Sequence, residues 1–146
     1  MKGENYLSVT FPSRSCNEAL SRAIVAAFAA QLDPTLDELG DVKTAVSEAV
    51  TNCIVHAYPD TVGEIRLRAW ITDGNTLHVS VRDHGVGIAD LEKAREPMYT
   101  TGGAERSGMG FTIMQTFMHE LKVASAPGKG TNVVMKRILG RRGAGR

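Results

Sequence analysis

The hydrophobic pattern of the first part of the chain predicts a strand followed by a helix. Residues 6–11 alternate apolar and polar side chains, as a half-buried β-strand does. A helix is predicted next, with Ser15 and Glu18 spaced as a capping box at its start and Asp33-Pro34 at its end. Its predicted core face consists of apolar residues three or four positions apart: Leu20, Ala23, Ile24, Ala27 and Phe28.

The middle of the chain predicts a long helix and a β-hairpin. Apolar residues at helical spacing extend from about Leu36 to Tyr58. Two strands are predicted after this helix, at residues 64–71 and 77–82. The segment Asp73-Gly74-Asn75 between them is typical of a tight hairpin turn.

The last part of the chain returns to regular structure after a glycine-rich segment. Residues 84–107 are weakly patterned and are compatible with a short helix at residues 89–95. A helix from about Met109 to Glu120 and strands near residues 122–125 and 132–138 complete the chain. This order predicts an α+β fold: a two-layer sandwich with helices on one face of a mostly antiparallel, mixed sheet.

Length, composition and charge are those of one globular domain. The chain has 146 residues, 42% of them apolar, and it contains no repeat and no long linker. We expect one domain over residues 1–138 and a disordered basic tail over residues 139–146. Five of the 17 basic residues lie after position 135, which leaves 12 basic residues against 16 acidic ones before it. Charge therefore does not favour direct DNA binding by the domain.

The sequence also bears on the compartment. No apolar run approaches the roughly 20 residues of a membrane-spanning helix, and the first residues lack the apolar segment of a signal peptide. Cys16 and Cys53 lack metal-ligand spacing. These features favour a cytoplasmic protein with reduced thiols and no membrane partner.

Candidate chemistry begins with a polar stripe on the second predicted helix. Thr44, Glu48, Asn52 and His56 lie four positions apart and therefore share one side of a mostly apolar helix. Burying a carboxylate and a carboxamide costs a few kcal/mol unless they are hydrogen-bonded or ligated. The stripe indicates a binding site, although a solvated helix face explains it equally well when it is taken alone.

Three glycine-containing segments follow. Asp83 ends a predicted strand, where its carboxylate can accept a hydrogen bond from an exocyclic amine, and Gly85 and Gly87 allow a flat ring to approach. The segment 105–111 opens a helix with Gly108 and Gly110, a favourable place for an anion beside Arg106. The segment 127–131 is a turn that enters the last strand. Taken alone, the first and last segments are better explained as an ordinary turn and an ordinary hairpin, and a glycine-rich helix cap is a common explanation of the second. No Walker A motif occurs.

Taken together, the four segments resemble the N, G1, G2 and G3 boxes of the GHKL family of ATPases and kinases. The resemblance covers nearly the whole chain. The segments 31–39, 46–52 and 105–114 are more narrowly similar to the family's sporulation anti-sigma factors, which are also serine kinases. The resemblance implies the GHKL (Bergerat) fold, with ATP or ADP and Mg²⁺ as cofactors.

The resemblance also implies roles for matching residues. Glu48 would be the general base and Arg106 would assist at the transferred phosphate, while Asn52 would hold the Mg²⁺. Asp83 and Thr131 would recognise adenine, and residues 97–111 would form a lid over the nucleotide. The nucleotide-binding residues implied in this way are Asn52, Asp83, Gly85, Gly87, Thr101, Ser107, Gly108, Met109, Gly110 and Thr131.

The sequence departs from the family pattern at two places. His84 occupies a position where these kinases commonly have an acidic residue, although Asp83 beside it is retained. The predicted lid contains Gly102-Gly103-Ala104, without the lysine expected there. Such a glycine-rich lid is a candidate for a nucleotide-sensitive element.

Three functions remain open at this stage. The first is a kinase that inhibits a sporulation sigma factor and phosphorylates a serine of an anti-anti-sigma protein, and the second is a nucleotide-gated binding module without efficient phosphotransfer. The third is the catalytic part of a histidine kinase. It is disfavoured because only about 35 residues precede the second helix, and they contain no helical hairpin with a phosphoacceptor histidine. The resemblance further implies a homodimer that binds one sigma factor, and Arg22 on the first helix is a candidate partner contact.

Overall fold

The computed structural model describes residues 4–88 and 110–140, and it confirms the predicted two-layer α+β architecture. Five strands form one sheet in the order β1-β2-β3-β5-β4, and all four ladders are antiparallel. The strands are β1 (Asn5–Pro12), β2 (Glu64–Thr72), β3 (Thr76–Asp83), β4 (Glu120–Ala126) and β5 (Gly130–Ile138). The helices are α1 (Cys16–Ala29), α2 (Leu36–Asn52) and α3 (Gly110–Phe117).

One face of the sheet forms the core with the helices. Alternate residues of β2 are fully or almost fully buried, whereas Arg66 between them is exposed. The buried apolar residues of β2 and β3 are Ile65, Leu67, Ala69, Ile71, Leu77, Val79 and Val81. They share one core cluster with Val42, Val46, Ala49 and Val50 of α2. This long apolar contact fixes the height and rotation of α2 over the sheet.

The start of α1 differs from the predicted capping box. Ser15 has helical backbone angles (φ −58°, ψ −32°), and its side chain makes no capping hydrogen bond. The Glu18 carboxylate instead accepts a hydrogen bond of 2.5 Å from the Ser47 hydroxyl and pairs with Arg22 Nε at 2.6 Å. The predicted capping box is therefore wrong, because Glu18 joins α1 to α2 rather than capping its own helix.

The predicted core face of α1 is confirmed only in part, since Phe28 is buried and Ile24 packs against the core. Leu20 is 45% exposed, and Ala23 and Ala27 are exposed too. The buried residues of the helix are Ser21, Val25, Phe28 and Ala29. Ser21 can take a core position because its hydroxyl donates a 2.6 Å hydrogen bond to the Glu18 carbonyl within the helix.

The helix α2 begins with a capping box and ends in a widened turn. The Thr35 hydroxyl accepts from the Glu38 N–H at 3.0 Å, and the Glu38 carboxylate accepts from the Thr35 N–H at 2.9 Å. Residues Cys53–Ala57 continue α2 as a π-helix, which accounts for the predicted extension to Tyr58. Single π-helical turns are frequent at functional sites.

The ends of the predicted elements can be compared only within the described residues. The hairpin turn is confirmed, since Asp73 and Gly74 both have positive φ, 58° and 72°. The helix predicted at residues 89–95 and the position of Met109 lie outside the described residues.

The packed chain reaches at least Leu139, which is 1% exposed, and the Gly140 N–H lies 3.4 Å from the Glu38 carboxylate. The domain boundary at residue 138 and the disordered tail stay predictions.

The described segments contain no helix with both the length and the hydropathy needed to cross a bilayer. Both cysteines are free thiols; Cys16 is exposed and Cys53 is buried.

The two candidate helix starts allow a matched stability test. Replacing Thr35 by Ala removes the hydroxyl that caps α2, so we expect Thr35→Ala to lower the free energy of unfolding by about 1 kcal/mol. The control, Ser15→Ala, removes a hydroxyl that makes no capping bond, and its effect is expected to stay within about 0.5 kcal/mol. Urea unfolding of both variants measures the difference. Equal losses would contradict this assignment of the capping residue.

Candidate functional site

The polar stripe of α2 lies directly beside the start of α3. Thr44 is exposed, whereas Glu48, Asn52 and His56 are partly buried. A Cβ atom built on Gly110 would lie 3.1 Å from Asn52 Nδ2, 3.2 Å from Asn52 Oδ1 and 3.4 Å from Glu48 Oε1. The structure therefore brings together a carboxylate, a carboxamide and the backbone at the start of α3, and the absence of a side chain at Gly110 leaves room between them.

The Asp83 carboxylate lies at the end of β3 and is only 4% exposed. Its Oδ1 accepts hydrogen bonds from the backbone N–H groups of Gly85 at 2.9 Å and Thr131 at 3.2 Å. The sheet register makes the second bond possible, because Asp83 and Thr131 are partners across the β3–β5 ladder. A buried carboxylate held in this way keeps a fixed position.

The other oxygen of Asp83 contacts a residue of the α2 extension. Cys53 Sγ lies 3.4 Å from Asp83 Oδ2, where its S–H can donate a weak hydrogen bond. Burial first, and the neighbouring Asp83 carboxylate second, raise the pKa of the Cys53 thiol well above its usual value. The thiol therefore stays protonated, and a donor, at neutral pH. The sequence pattern indicates only that Cys53 is a reduced thiol, and it does not predict this contact.

Gly85 and Gly87 are needed for packing of the turn that follows β3. A Cβ on Gly85 would lie 2.2 Å from the Ala57 carbonyl oxygen, and one on Gly87 would lie 2.0 Å from the Ala126 carbonyl oxygen. Gly87 also has φ 77°, which side-chain-bearing residues rarely adopt. The space at both glycines is therefore filled by protein backbone, so packing already explains them without an approaching ring.

Ser125 joins this turn to the turn before β5. Its hydroxyl accepts from the Ile88 N–H at 2.8 Å and lies 3.0 Å from the Gly130 carbonyl and 2.7 Å from Thr131 Oγ1. The predicted site residue Thr131 is thus linked to Asp83 through its backbone and to Ser125 through its hydroxyl. The sequence does not identify Ser125 as a site residue, because nothing in the local pattern distinguishes a serine in an alternating strand.

Tyr58 fixes the end of the α2 extension to the sheet. Its hydroxyl donates to the Glu64 carbonyl at 2.7 Å and accepts from the His84 N–H at 2.7 Å. The Ala57 carbonyl, one of those left without a helical partner at the helix end, accepts from the Val86 N–H at 3.0 Å. His84 itself is exposed and lines an open pocket of about 450 Å³ with Tyr58, Asp60 and Val86.

Seven of the twelve predicted site residues fall within the described residues. Glu48, Asn52, Asp83, Gly85, Gly87, Gly110 and Thr131 have the positions given above. Thr101, Arg106, Ser107, Gly108 and Met109 lie outside the described residues, as does most of the predicted lid.

The described residues fit a magnesium nucleotide. Asp83 Oδ2 is a buried acceptor suited to an amino group, and a carboxylate oxygen can accept more than the one thiol hydrogen bond described for it. Asn52 offers a carboxamide oxygen beside the space at Gly110. Mg²⁺ is commonly bound by one or two protein oxygens together with substrate phosphates and water. The described part of the chain has no group of three or more His, Cys, Asp or Glu side chains arranged to hold a metal ion.

Comparison with known proteins assigns this arrangement to a class. The family described as "Histidine kinase-like ATPase domain" matches residues 11–137. The anti-sigma F factor of Caldanaerobacter subterraneus subsp. tengcongensis is 56% identical over 142 residues, which cover 97% of this chain and 99% of that protein. The anti-sigma F factor of Geobacillus kaustophilus is 53% identical over 137 residues, covering 92% and 93%. The chain belongs to the histidine kinase-like ATPase family and, within it, to the anti-sigma F factors.

Solved structures confirm the fold. The structure of the RsbU and RsbW domains of a Mycobacterium tuberculosis protein matches 94% of this chain with a TM-score of 0.70. Its sequence identity is 20% and the match spans 33% of that chain, so it supports the fold alone. The histidine kinase domain of a blue-light activated histidine kinase from Erythrobacter litoralis matches 73% of this chain and 47% of that one, with 29% identity and a TM-score of 0.56.

The close approach at Gly110 gives a direct test of the site. In Gly110→Ala the added methyl contacts Glu48 and forces the Asn52 carboxamide to shift, so we expect ATP affinity to fall by about tenfold or more. Thermal stability should not fall, because alanine favours the helix more than glycine does. Calorimetric titration with ATP and Mg²⁺, together with a melting curve, separates the two effects.

The matched control is Gly40→Ala on α2. A Cβ there meets no atom within 4 Å, so the variant should keep wild-type affinity and gain up to about 1 kcal/mol of stability. Unchanged ATP binding in Gly110→Ala would show that the gap beside Asn52 is not used by the nucleotide.

Proposed function

We propose that this protein is an anti-sigma factor that inhibits a sporulation sigma factor and, as a serine kinase, uses MgATP to phosphorylate a serine of an anti-anti-sigma protein. The observation that carries the proposal is the convergence of Glu48 and Asn52 beside Gly110, one turn of α2 apart. The similarity to anti-sigma F factors supports the inhibitory role. The kinase role rests on the chemistry of the site.

In this proposal Glu48 acts as the general base. Bound MgATP supplies the transferable phosphoryl group. Glu48 takes the proton of the substrate serine hydroxyl while the serine oxygen bonds to the terminal phosphorus and ADP leaves. Asn52, one helical turn further along α2, would hold the Mg²⁺, so base and metal ligand keep a fixed spacing. Most of the rate would come from positioning and from neutralising charge.

The adenine end would be held by Asp83, assisted by Thr131. The Asp83 carboxylate is fixed by two backbone N–H groups and is buried, so little reorganisation is needed when an amino group binds. Residues 97–111 would close over the nucleotide as a lid, with Arg106, Ser107, Gly108, Met109 and Gly110 near the phosphates. Thr101 in the same segment would also bind the nucleotide. Arg106 would neutralise the charge that develops on the transferred group.

The sigma factor would bind to α1, and the complex would contain a homodimer of this chain. Arg22 supports this placement because its side chain is 41% exposed and is oriented by the Glu18 carboxylate at 2.6 Å. An arginine oriented in this way can present its guanidinium to a partner carboxylate with less loss of side-chain freedom. Ser47, which also donates to Glu18, connects this contact to the helix that carries Glu48.

The decisive experiment incubates the protein with labelled ATP, Mg²⁺ and a candidate anti-anti-sigma protein. Label on a partner serine supports the proposal. An ATP-dependent complex without label transfer would instead favour a nucleotide-gated binding module, and label retained on a histidine of this chain would favour histidine kinase chemistry.

Two variants separate the proposed base from the proposed adenine contact. We expect Glu48→Ala to reduce phosphotransfer by about a hundredfold or more while ATP affinity is largely kept. We expect Asp83→Asn to weaken ATP binding, since an amide replaces a carboxylate acceptor that three donors surround. Single-turnover transfer and ATP titration measure both. Wild-type transfer by Glu48→Ala would rule out its role as base.

The contact proposed for Arg22 is tested by sigma-factor binding. Arg22→Ala should weaken binding by about tenfold, the range of an oriented charge contact at an interface. The control is Arg14→Ala, which removes an exposed arginine just before α1 and should leave the affinity within about twofold. Equal affinity of the two variants would remove Arg22 from the interface.

A further inference from the structure

We propose that Cys53 is a positioning residue for nucleotide selection: through its thiol it orients the Asp83 carboxylate toward the amino group of a 6-aminopurine. The inference rests on the proposed binding of ATP at Asp83 and adds a residue that sets purine specificity. Cys53 need not touch the nucleotide itself.

One oxygen of the Asp83 carboxylate, Oδ1, is already occupied by donors from the backbone. Asp83 Oδ1 accepts two backbone N–H groups, from Gly85 at 2.9 Å and Thr131 at 3.2 Å. A carboxylate oxygen has about two acceptor positions, so these bonds use the capacity of Oδ1. The amino group of a purine must therefore bind at Oδ2.

The other oxygen of the carboxylate, Oδ2, is contacted by the Cys53 thiol. Cys53 Sγ lies 3.4 Å from this oxygen, and Cys53 is 3% exposed. The thiol occupies one acceptor position of Oδ2. It adds to the two N–H groups on Oδ1 and further restricts rotation of the carboxylate about its terminal bond. One position of Oδ2 remains for a further donor.

The remaining acceptor position of Oδ2 would distinguish between purines. A 6-aminopurine presents a donor to this position, whereas a 6-oxopurine presents an acceptor that the carboxylate repels. A site built to hydrogen-bond a donor rejects analogues that lack it, because its buried acceptor is then left unpaired. The better the carboxylate is oriented, the larger this discrimination becomes.

The position of Cys53 also couples the two ends of the site. It directly follows Asn52, the proposed metal ligand, at the start of the π-helical turn. One helical segment would thus orient both the metal ligand and the adenine contact. A small buried cysteine can also serve only as a space-filling apolar residue, and the test must separate these two roles.

The experiment measures the affinity of the full chain for ATP and for purine riboside triphosphate, which lacks the 6-amino group. We expect Cys53→Ala to lower ATP affinity by about tenfold, the scale of a hydrogen bond to a charged group, and to change purine riboside triphosphate affinity by less than about twofold. Cys53→Ser, which restores a hydroxyl donor, should recover ATP affinity to within about threefold. Cys16→Ala removes the exposed thiol and should leave both affinities unchanged.

Equal losses for the two nucleotides in Cys53→Ala, or no recovery in Cys53→Ser, would overturn the inference and leave Cys53 as packing. If Cys53→Ala does not fold, Cys53→Val, which fills the space without a donor, takes its place in the same comparison. Failure of the proposed function is distinguishable, because wild-type protein would then not prefer ATP over purine riboside triphosphate.

Discussion

The fixed point of this molecule is the buried carboxylate of Asp83. Three parts of the chain meet at its two oxygens: the turn after β3 through Gly85, the start of β5 through Thr131, and the extension of α2 through Cys53. Leaving a buried carboxylate without such donors would cost several kcal/mol. The three segments must therefore assemble together, and in doing so they form the floor of the candidate nucleotide site.

The helix α2 connects this floor to the chemistry. Its apolar side packs on the sheet, and its other side carries Glu48 and Asn52 to the start of α3. The π-helical turn at Cys53–Ala57 continues it to Tyr58, whose hydroxyl bonds both Glu64 and His84. Both ends of the helix are thus held, by a capping box at Thr35 and by Tyr58. The proposed base Glu48 and the proposed metal ligand Asn52 would keep their spacing on such a helix when substrates bind.

The local pattern of the sequence was sufficient for the elements and for part of the site. Strand alternation and helix spacing located the five strands of the described segments, and the four-residue spacing of Glu48 and Asn52 placed them on one side of α2. Contacts between distant residues had no such signal. The Cys53–Asp83 and Ser125–Thr131 contacts depend on the sheet register and on the end of α2, which periodicity does not determine. Part of the core face of α1 is misassigned for a related reason, because Ser21 satisfies its hydroxyl within the helix and can be buried.

The central claim is that a magnesium nucleotide binds between Asn52 and Asp83. It is tested most directly by a crystal structure of this chain with Mg²⁺ and a non-hydrolysable ATP analogue. The account predicts the Asn52 side-chain oxygen at about 2.1 Å from the metal and Asp83 Oδ2 at about 2.9 Å from the adenine amino nitrogen. A nucleotide bound elsewhere on the chain, with neither side chain in contact, would contradict it.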